Sequence, residues 1–394
     1  MMRDPDRWLL PEGIEEILPA EALRLEAMRR RLLDLFAVWG YELVMPPLIE
    51  YLESLLTGTG RELDLQTFKL TDQLSGRLMG VRADMTPQAA RIDAHYLKRG
   101  APVRLCYVGS VLHTRPDALG GSRELLQLGA ELFGHPGPES DIEILRLMLD
   151  ALAATGLDGL HLDLGHVGVF RALAAAAGLK PEQEAAIFGI LQRKARPELD
   201  ALLAETQLGA KQNEWFTALT ELNGGAEVLA AARARLAGAG PGVASALDNL
   251  AAVADAVAAS HPALTRYFDL AELRGYRYYT GVVYAVFLPG QGQALAQGGR
   301  YDGIGKAFGR ERAATGFSAD LRRLVKLLPE DAALRGGILA PAGGAPALRA
   351  EVARLRAAGE RVVEGLPGAG GDPREMGCDR RLVERRGAWT VEKI

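Results

Sequence analysis

The sequence predicts an α+β fold in which a mixed, mainly antiparallel sheet is flanked by helices. Residues 103–112 and 124–133 are apolar runs joined by a polar loop rich in glycine, which is typical of two paired strands. Residues 166–260 are rich in alanine, and their apolar residues have helical spacing. Strand-like patterns return between residues 267 and 299. We therefore expect an all-helical insertion that interrupts the sheet.

The chain has 394 residues, enough for about two or three domains. Residues 331–394 combine a Gly-, Ala- and Pro-rich stretch with one helical pattern and short strand patterns, so a small C-terminal α/β module is expected there. The expected boundaries are a discontinuous core at 1–165 and 263–330, an all-helical insertion at 166–262 and the C-terminal module at 331–394.

The first expected elements are a helix and a strand. Apolar residues at helical spacing predict a helix over residues 21–39, and Gly40 follows at the position of a C-cap. Residues 41–45 have the pattern of a strand. Pro46 and Pro47 end this strand, because proline cannot donate a hydrogen bond to a neighbouring strand.

A hairpin and further helices follow. Residues 65–70 and 77–81 predict two strands around a polar turn. Thr86 is followed by a proline, a combination that favours the start of a helix. The remaining expected elements are a helix at 140–154, a strand at 160–164, a strand at 274–281, two strands and a loop within 278–299, a helix at 317–328, a helix at 346–357 and a strand at 361–366.

Composition excludes several classes of protein. The formal charge is −4, from 46 basic and 50 acidic residues, which gives little general attraction for nucleic acids or anionic membranes. Cys106 and Cys378 are the only cysteines, so we do not expect a disulfide scaffold. We expect a cytoplasmic location. The N-terminal residues have neither a signal-peptide nor a transit-peptide pattern. The histidines lack zinc-site spacing, so we expect neither a metal nor a cofactor.

A polar slot is predicted on the strand at 124–133. Gln127, Gly129 and Glu131 would lie on one face of this strand. Because glycine has no side chain, the amide and the carboxylate would border an open slot. This slot suits a small ligand whose amine or imidazole N–H can donate to Glu131. A solvated sheet face is the alternative.

Tyrosine is concentrated late in the chain, where residues 267–301 contain six of the ten. A strand at 274–281 would place phenols and guanidinium groups on alternate faces and so offer hydrogen-bond donors beside flat apolar walls. The alternative is a tyrosine-rich strand without a site, since tyrosine favours strands in general. The glycine-rich stretch at 298–303, considered alone, predicts a turn.

Taken in order, these stretches resemble the catalytic core of the class II aminoacyl-tRNA synthetases, specifically the histidyl-tRNA synthetases, over residues 10–165 and 263–328. The similar segments are residues 41–50, 103–134 and 313–324 for the three class motifs, and residues 274–279 and 298–302 for two segments peculiar to the histidine enzymes. The resemblance implies the class II fold and a pocket for histidine. Asp84 falls where these enzymes use a glutamate for the amino group, one methylene longer. The histidine-binding residues implied in this way are Asp84, Thr86, Gln127, Glu131, Arg274, Tyr278, Tyr279 and Tyr301.

The ATP-binding positions depart from the synthetases. His113 and Arg115 stand where those enzymes have an arginine and a glutamate, and Asp320 stands where a glycine lets ATP approach. Losing one preorganised donor typically costs ~10²–10³ in rate, so adenylation is expected to be lost and no catalytic residue is assigned. The short remainder of the chain is also too small for the usual full anticodon-binding domain.

This combination resembles the regulatory subunit of ATP phosphoribosyltransferase. The resemblance implies a non-catalytic chain that activates a short-form catalytic subunit in the first step of histidine biosynthesis and contributes to feedback inhibition. The implied partners are that subunit in a hetero-oligomer, a second copy in a homodimer, and free histidine as allosteric effector; neither membrane nor nucleic acid is expected. The alternatives are a divergent histidyl-tRNA synthetase or a paralog that forms an aminoacyl adenylate, and a tRNA-binding protein without catalysis.

Overall fold

The structure is a computed structural model of the chain. It describes residues 8–58, 60–116, 121–206, 208–272, 275–276, 278–329 and 336–394. The chain divides into two compact units, Met1–Leu328 and Pro329–Ile394. The expected boundaries of the core and of the helical insertion stay predictions, and residue 331, the expected start of the module, lies outside the described residues.

The first unit alternates strands and helices before and after a long helical stretch. Its strands are β1 (Glu42–Leu43), β2 (Ile49–Tyr51), β3 (Phe68–Thr71), β4 (Leu78–Val81), β5 (Val103–Leu112), β6 (Glu124–Phe133), β7 (His161–His166), β8 (Asn223–Gly224), β9 (Thr265–Asp269), β10 (Val282–Phe287), β11 (Ala296–Arg300) and β12 (Ala314–Asp320). Its α-helices are α1 (Pro19–Val38), α2 (Leu52–Leu55), α3 (Arg61–Gln66), α4 (Thr86–Arg91), α5 (Pro138–Thr155), α6 (Val167–Ala177), α7 (Pro181–Gln192), α8 (Arg196–Glu205), α9 (Ala210–Leu219), α10 (Glu227–Arg235), α11 (Pro241–Ser260), α12 (Ile304–Ala307) and α13 (Leu321–Lys326). A π-helical turn, Ile92–Leu97, continues α4.

One large sheet dominates this unit. Its strand order is β1-β5-β6-β12-β11-β10-β7-β9-β8, and among the described pairs of this sheet only β1–β5 and β7–β9 are parallel. The long β5 and β6 follow each other in the chain and pair antiparallel along their whole length. The predicted mixed, mainly antiparallel sheet is therefore confirmed. Strands β2, β4 and β3 form a separate antiparallel sheet.

The two faces of β6 meet different surroundings. Leu128, Ala130 and Leu132 belong to the main apolar cluster, together with buried residues of α1 and α5. On the opposite face, a second cluster joins β5 to α4 and α12 and includes Leu105 and Tyr107. This alternation follows from the two-residue period of a strand. Gln127 and Glu131 therefore lie on the face that carries the second cluster.

Helices α6 to α11 pack beside the sheet and share its core. Phe170 of α6 and Leu250 of α11 are fully buried and belong to the same apolar cluster as Leu164 of β7. Helix α11 is long and apolar enough to cross a membrane by length and composition alone. Its apolar residues include buried Leu247 and Val253, and a core helix passes the same test. Burial in this core therefore accounts for its composition.

Several sequence-based assignments are wrong in the structure. Residues 65 and 66, predicted to lie in a strand, belong to α3, and the two-residue strand β8 lies within the insertion that was predicted to be all-helical. Residues 317–320 belong to β12, and the helix begins only at Leu321, because a strand buried on both faces lacks the alternation that marks a strand. The described residues of 274–281 form turns, since Gly275 has φ +65° and its carbonyl accepts from the Tyr278 N–H at 2.7 Å. The glycine pair at 298–299 lies within β11.

The second unit is a small α/β module. Its elements are β13 (Gly337–Ala340), α14 (Pro346–Ala357), β14 (Val362–Glu364), β15 (Cys378–Arg385) and β16 (Ala388–Lys393), with the strand order β14-β13-β15-β16. Leu348 and Val352 of α14 pack on Ile338 and Leu382 of the sheet. The predicted helix at 346–357 is confirmed, and the predicted strand at 361–366 is shorter than expected.

Candidate functional site

A cavity of about 770 Å³ opens on the face of the large sheet that carries Glu131. Strands β6, β10, β11 and β12 contribute to its lining, and the chain segment before α4 and the described residues of 275–279 border it. A cavity of this size with a few convergent polar groups is typical of small-molecule sites. We call it the Glu131 pocket, and its lining includes Asp84, Thr86, Glu131, Tyr278, Tyr279 and Tyr301.

The Glu131 carboxylate is almost completely buried, with 1% of the residue exposed. Tyr107 of β5 donates a hydrogen bond to its Oε1 at 2.8 Å, and Tyr301 donates one to its Oε2. On the neighbouring strand β12, Gly316 lies directly opposite Glu131. A Cβ at position 316 would lie 1.5 Å from Glu131 Oε2, so only glycine leaves room for this carboxylate.

Gln127 connects β6 to the segment before α4. Its amide nitrogen donates to Asp84 Oδ1 at 2.7 Å, and its Oε1 accepts from the Met85 N–H at 2.8 Å. The same Asp84 oxygen accepts from the Thr86 N–H at 3.0 Å. The Thr86 hydroxyl in turn lies 3.0 Å from the Tyr107 hydroxyl. A continuous set of hydrogen bonds therefore joins the start of α4 to the two central strands.

Three tyrosines form an aromatic wall of the pocket. The Tyr278 ring stacks on the Tyr301 ring with centroids 5.0 Å apart, and the Tyr279 ring meets Tyr278 edge-on at 5.2 Å. The Tyr279 ring also lies close to Gly299, where a Cβ would approach it to 3.0 Å. The buried Tyr278 hydroxyl makes no hydrogen bond within the described part of the chain. The wall therefore offers a ligand flat apolar surface and one hydroxyl.

Burial raises the pKa of Glu131 to about 8, because the pocket disfavours a charge that is removed from water. The hydrogen bonds from Tyr301, Tyr107 and Thr86 lower this pKa, and the neighbouring Asp84 charge raises it. At neutral pH the carboxyl is therefore mostly protonated. A cationic ligand would favour the ionised form, so ligand binding and loss of the Glu131 proton are coupled.

The structure shows where the predicted site residues lie. Gln127 and Glu131 are 9% and 1% exposed, so the alternative of a solvated sheet face is wrong. The alternative of a tyrosine-rich strand is wrong too, because the described residues of 274–281 form no strand. Arg274 lies outside the described residues. The predicted residues that the structure gathers at the pocket are Asp84, Thr86, Gln127, Glu131, Tyr278, Tyr279 and Tyr301.

Tyr107 also belongs to the site and was not predicted from the sequence. This residue lies opposite Gly129 in the β5–β6 pair, and a Cβ at position 129 would come within 2.5 Å of the Tyr107 hydroxyl. The glycine that was predicted to leave a slot thus makes room for a tyrosine from the neighbouring strand. The sequence predicted both strands, but it did not predict their register. Without the register, Tyr107 could not be placed opposite Gly129.

Two of the three residues at the altered ATP-binding positions, His113 and Asp320, are engaged within the protein. The His113 Nε2 lies 2.9 Å from the Ala83 carbonyl oxygen, and Arg115 is exposed to solvent. The Asp320 carboxylate accepts from the Leu126 N–H at 3.2 Å and from the Arg322 N–H at 3.1 Å, which caps α13. An acidic side chain therefore occupies the position where the synthetases have glycine.

The arginines next to Asp320 have protein partners. Arg322 is buried and donates to Glu15 at 2.9 Å. Arg323 donates to the carbonyl oxygens of Gln293 and Ala294 at 2.9 and 3.0 Å. The described lining of the Glu131 pocket contains acidic residues and neither lysine nor arginine. These acidic groups favour a ligand that carries a cation or N–H donors. The described residues also form no cluster suited to a metal ion.

Comparisons with known proteins identify two family matches. Residues 13–324 match the family of histidyl-tRNA synthetase, and residues 335–392 match the family of the ATP phosphoribosyltransferase subunit HisZ C-terminal domain. Together the two matches cover most of the chain. The first match includes every residue of the Glu131 pocket, and the second falls on the small C-terminal module.

Full-length relatives are also similar. An ATP phosphoribosyltransferase regulatory subunit from Thioalkalivibrio sulfidiphilus is 59% identical over 100% of both chains, and one from Pseudomonas aeruginosa is 57% identical over 100% of both. A solved structure of an ATP phosphoribosyltransferase regulatory subunit/histidyl-tRNA synthetase from Bacillus halodurans is 28% identical, with a TM-score of 0.83, and the match covers 94% of this chain and 95% of the other. The predicted class II synthetase-like fold is therefore confirmed.

The variant Glu131→Gln tests the protonation of the buried carboxyl. In the unfolded chain this group ionises near its usual pKa of 4.5, but in the folded protein only near pH 8, so unfolding releases a proton between these values. The free energy of unfolding of wild type should therefore fall, relative to that of Glu131→Gln, by roughly 2–5 kcal/mol as pH rises through this window. Urea unfolding at several pH values measures the difference.

The control for this measurement is Glu16→Gln, which removes a carboxylate that is exposed to solvent. Its stability should follow that of wild type across the same pH range. If Glu131→Gln also follows wild type at every pH, Glu131 is ionised in the folded protein and the account of the pocket's electrostatics is wrong.

Proposed function

Since the chain belongs to the family of ATP phosphoribosyltransferase regulatory subunits, we propose that free histidine binds in the Glu131 pocket and acts there as an allosteric effector. Family membership assigns the chain a regulatory, non-catalytic role in histidine biosynthesis, together with a catalytic ATP phosphoribosyltransferase partner. The sequence-based prediction of a regulatory subunit is confirmed, and the alternative of a divergent synthetase is not favoured.

One observation carries the proposal for histidine: a buried carboxyl group, held by two tyrosine hydroxyls, lies in a cavity that the Asp84 carboxylate also borders. Histidine offers an ammonium group and an imidazole N–H, both of which donate to a carboxylate. A hydrogen bond to a charged partner is roughly twice as strong as a neutral one. Glu131 can therefore pair with the imidazole once its proton is lost.

The other residues of the pocket complete the proposed site. Asp84 is assigned to the histidine ammonium group, because its Oδ1 is held by Gln127 and Thr86 while the carboxylate borders the cavity. The rings of Tyr278 and Tyr279, which meet edge-on, are assigned to apolar contacts with the imidazole. Arg274 is included in the site on the resemblance to the histidyl-tRNA synthetases alone.

The proposed partner is the short-form catalytic subunit, which the chain would activate in a hetero-oligomer. The commitment of His113, Arg322 and Arg323 to protein partners supports a chain that relies on another subunit for chemistry on ATP. We also propose a cytoplasmic location, in keeping with two cysteines that are free and buried. Nucleic acid is not proposed as a partner, given the formal charge of −4.

We propose in addition that the chain forms a homodimer through the segment around β2. This segment exposes apolar side chains next to Pro46 and Pro47: Met45 is 74% exposed, and Leu48 and Ile49 are 42% and 43% exposed. Exposed apolar patches of this kind mark interaction sites, and a two-fold axis lets the same patch cover itself.

The variant Gly316→Ala tests the proposed histidine site. The new Cβ would lie 1.5 Å from Glu131 Oε2, so the carboxylate must move and the affinity for histidine should fall at least ~10-fold. Glu131→Gln should weaken binding by ~1.5–3 kcal/mol, because it removes the carboxyl group that becomes charged when the ligand binds. Calorimetric titration of the full chain with histidine measures both effects.

Gly303→Ala is the matched control for this titration. Its Cβ would meet nothing within 4 Å, and its φ of −77° suits alanine, so histidine should bind as in wild type. Absence of histidine binding to wild type, or unchanged affinity in both Gly316→Ala and Glu131→Gln, would refute the assignment of histidine to this pocket.

The proposed homodimer is tested by Met45→Lys. A charge placed in the apolar patch should weaken self-association at least ~10-fold, since a desolvated unpaired charge is costly at an interface. Sedimentation equilibrium at micromolar concentration measures it, with Leu366→Lys, at a side chain 71% exposed in the other unit, as control. A wild type that sediments as a monomer, or variants that dimerise equally well, would contradict the proposed interface.

A further inference from the structure

Arg300 is buried at the end of β11, with 6% of the residue exposed, although guanidinium groups are permanently charged. Each of its nitrogens donates hydrogen bonds, and its partners come from the stretch 135–141 and from residue 302. The partners are Asp141 Oδ2 at 3.0 Å, Ser140 Oγ at 2.7 Å, Asp302 Oδ1 at 3.1 Å, and the carbonyl oxygens of His135 at 3.3 Å and Gly137 at 3.0 Å.

The surrounding backbone connects Arg300 to the tyrosine wall. The Arg300 carbonyl accepts from the Thr280 N–H at 2.7 Å, and Thr280 directly follows two of the pocket tyrosines. The Thr280 hydroxyl accepts from the Asp302 N–H at 3.0 Å. Asp302 Oδ1 accepts from the Ala314 N–H at 2.9 Å, and the Tyr301 N–H donates to the Ala314 carbonyl at 2.8 Å. The residues on both sides of Tyr301 are thus anchored.

Arg300 lies next to Tyr301 in sequence but outside the described lining of the pocket. A guanidinium group binds several acceptors in fixed directions, whereas an ammonium group is a compact point charge on a flexible stem. Lysine at this position would keep the charge beside the fully buried Asp141 but could not hold the 135–141 stretch and Asp302 together.

We propose that Arg300 is a positioning residue of the Glu131 pocket, which holds the Tyr301 hydroxyl against Glu131 and fixes the segment that carries Tyr278 and Tyr279. The effect on histidine rests on the proposed function. The effect on Glu131 itself does not, because the hydrogen bond from Tyr301 exists without a ligand.

The Glu131 carboxyl reports on this positioning, because several groups set its pKa. Asp84 of the segment before α4 raises the pKa, whereas the hydrogen bonds from Tyr301, Tyr107 of β5 and Thr86 of α4 lower it. Glu131 also faces the phenols of Tyr278 and Tyr279, which stay neutral because burial raises the pKa of each. If Tyr301 moves away, the pH at which Glu131 ionises must therefore rise.

The experiment compares Arg300→Lys, Tyr301→Phe and the double variant in the full chain. The infrared absorption of the protonated Glu131 carboxyl, identified by its loss in Glu131→Gln, is followed against pH without ligand. Arg300→Lys should raise the ionisation midpoint, Tyr301→Phe should raise it similarly, and the double variant should show no further increase. Histidine affinity at neutral pH should fall at least ~10-fold in Arg300→Lys.

Arg104→Lys is the matched control. It breaks a bidentate ion pair with Glu143, whose two hydrogen bonds are 2.6 and 2.7 Å long, and this pair lies outside the described lining of the pocket. It should leave the midpoint unchanged. A lower melting temperature of Arg300→Lys without a shift of the midpoint, or additive shifts in the double variant, would overturn the proposal. If Arg300→Lys does not fold, Asp302→Asn decides instead, since Asp302 bridges Arg300 and Ala314.

Failure of the two proposals can be told apart. If wild type binds no histidine, the proposed function fails, and the midpoint shift in the ligand-free protein still decides the role of Arg300. If wild type binds histidine but Arg300→Lys leaves both midpoint and affinity unchanged, the positioning role is refuted and the proposed function stands.

Discussion

The pocket depends on one constraint, namely that the Glu131 carboxyl is buried on the sheet with no basic side chain in the described lining. An acid in this position must be protonated or be held by hydrogen bonds, because burial disfavours its charge. The hydroxyls of Tyr107 and Tyr301 provide such bonds, and Gly316 on the paired strand leaves the space. The glycines around Glu131 leave space for this buried carboxyl group, and the tyrosines give it hydrogen bonds.

The same constraint explains how a synthetase-like core can serve regulation. Binding an amino acid and binding ATP place opposite demands on a site, since an ammonium or imidazole group needs acceptors and a polyphosphate needs cations. In this chain the acceptors Asp84 and Glu131 border the cavity, whereas Arg322 and Arg323 are held by protein partners. The proposed histidine pocket needs these acceptors and no phosphate clamp, which suits a ligand that acts as a signal.

Local pattern was sufficient for much of the fold. The strands at 103–112 and 124–133 and the helix at 346–357 were predicted with their observed bounds. The helix predicted at 317–328 was wrong over residues 317–320, because β12 is buried on both faces and has no alternation. Tyr107 and Arg300 could not be assigned to the site from sequence, since their roles depend on strand register and on contacts distant in sequence.

The most direct test of the account is a reconstituted assay of phosphoribosyl-ATP formation with the purified catalytic subunit and this chain. Histidine can regulate the complex only if it favours one arrangement over another, and a coupling of ~1–3 kcal/mol corresponds to a change of ~5–150-fold in affinity. We expect wild type to raise activity and to confer inhibition by histidine, and we expect the double variant Gln127→Ala, Glu131→Ala to abolish the inhibition. Equal activity and equal histidine sensitivity in the double variant would contradict the account.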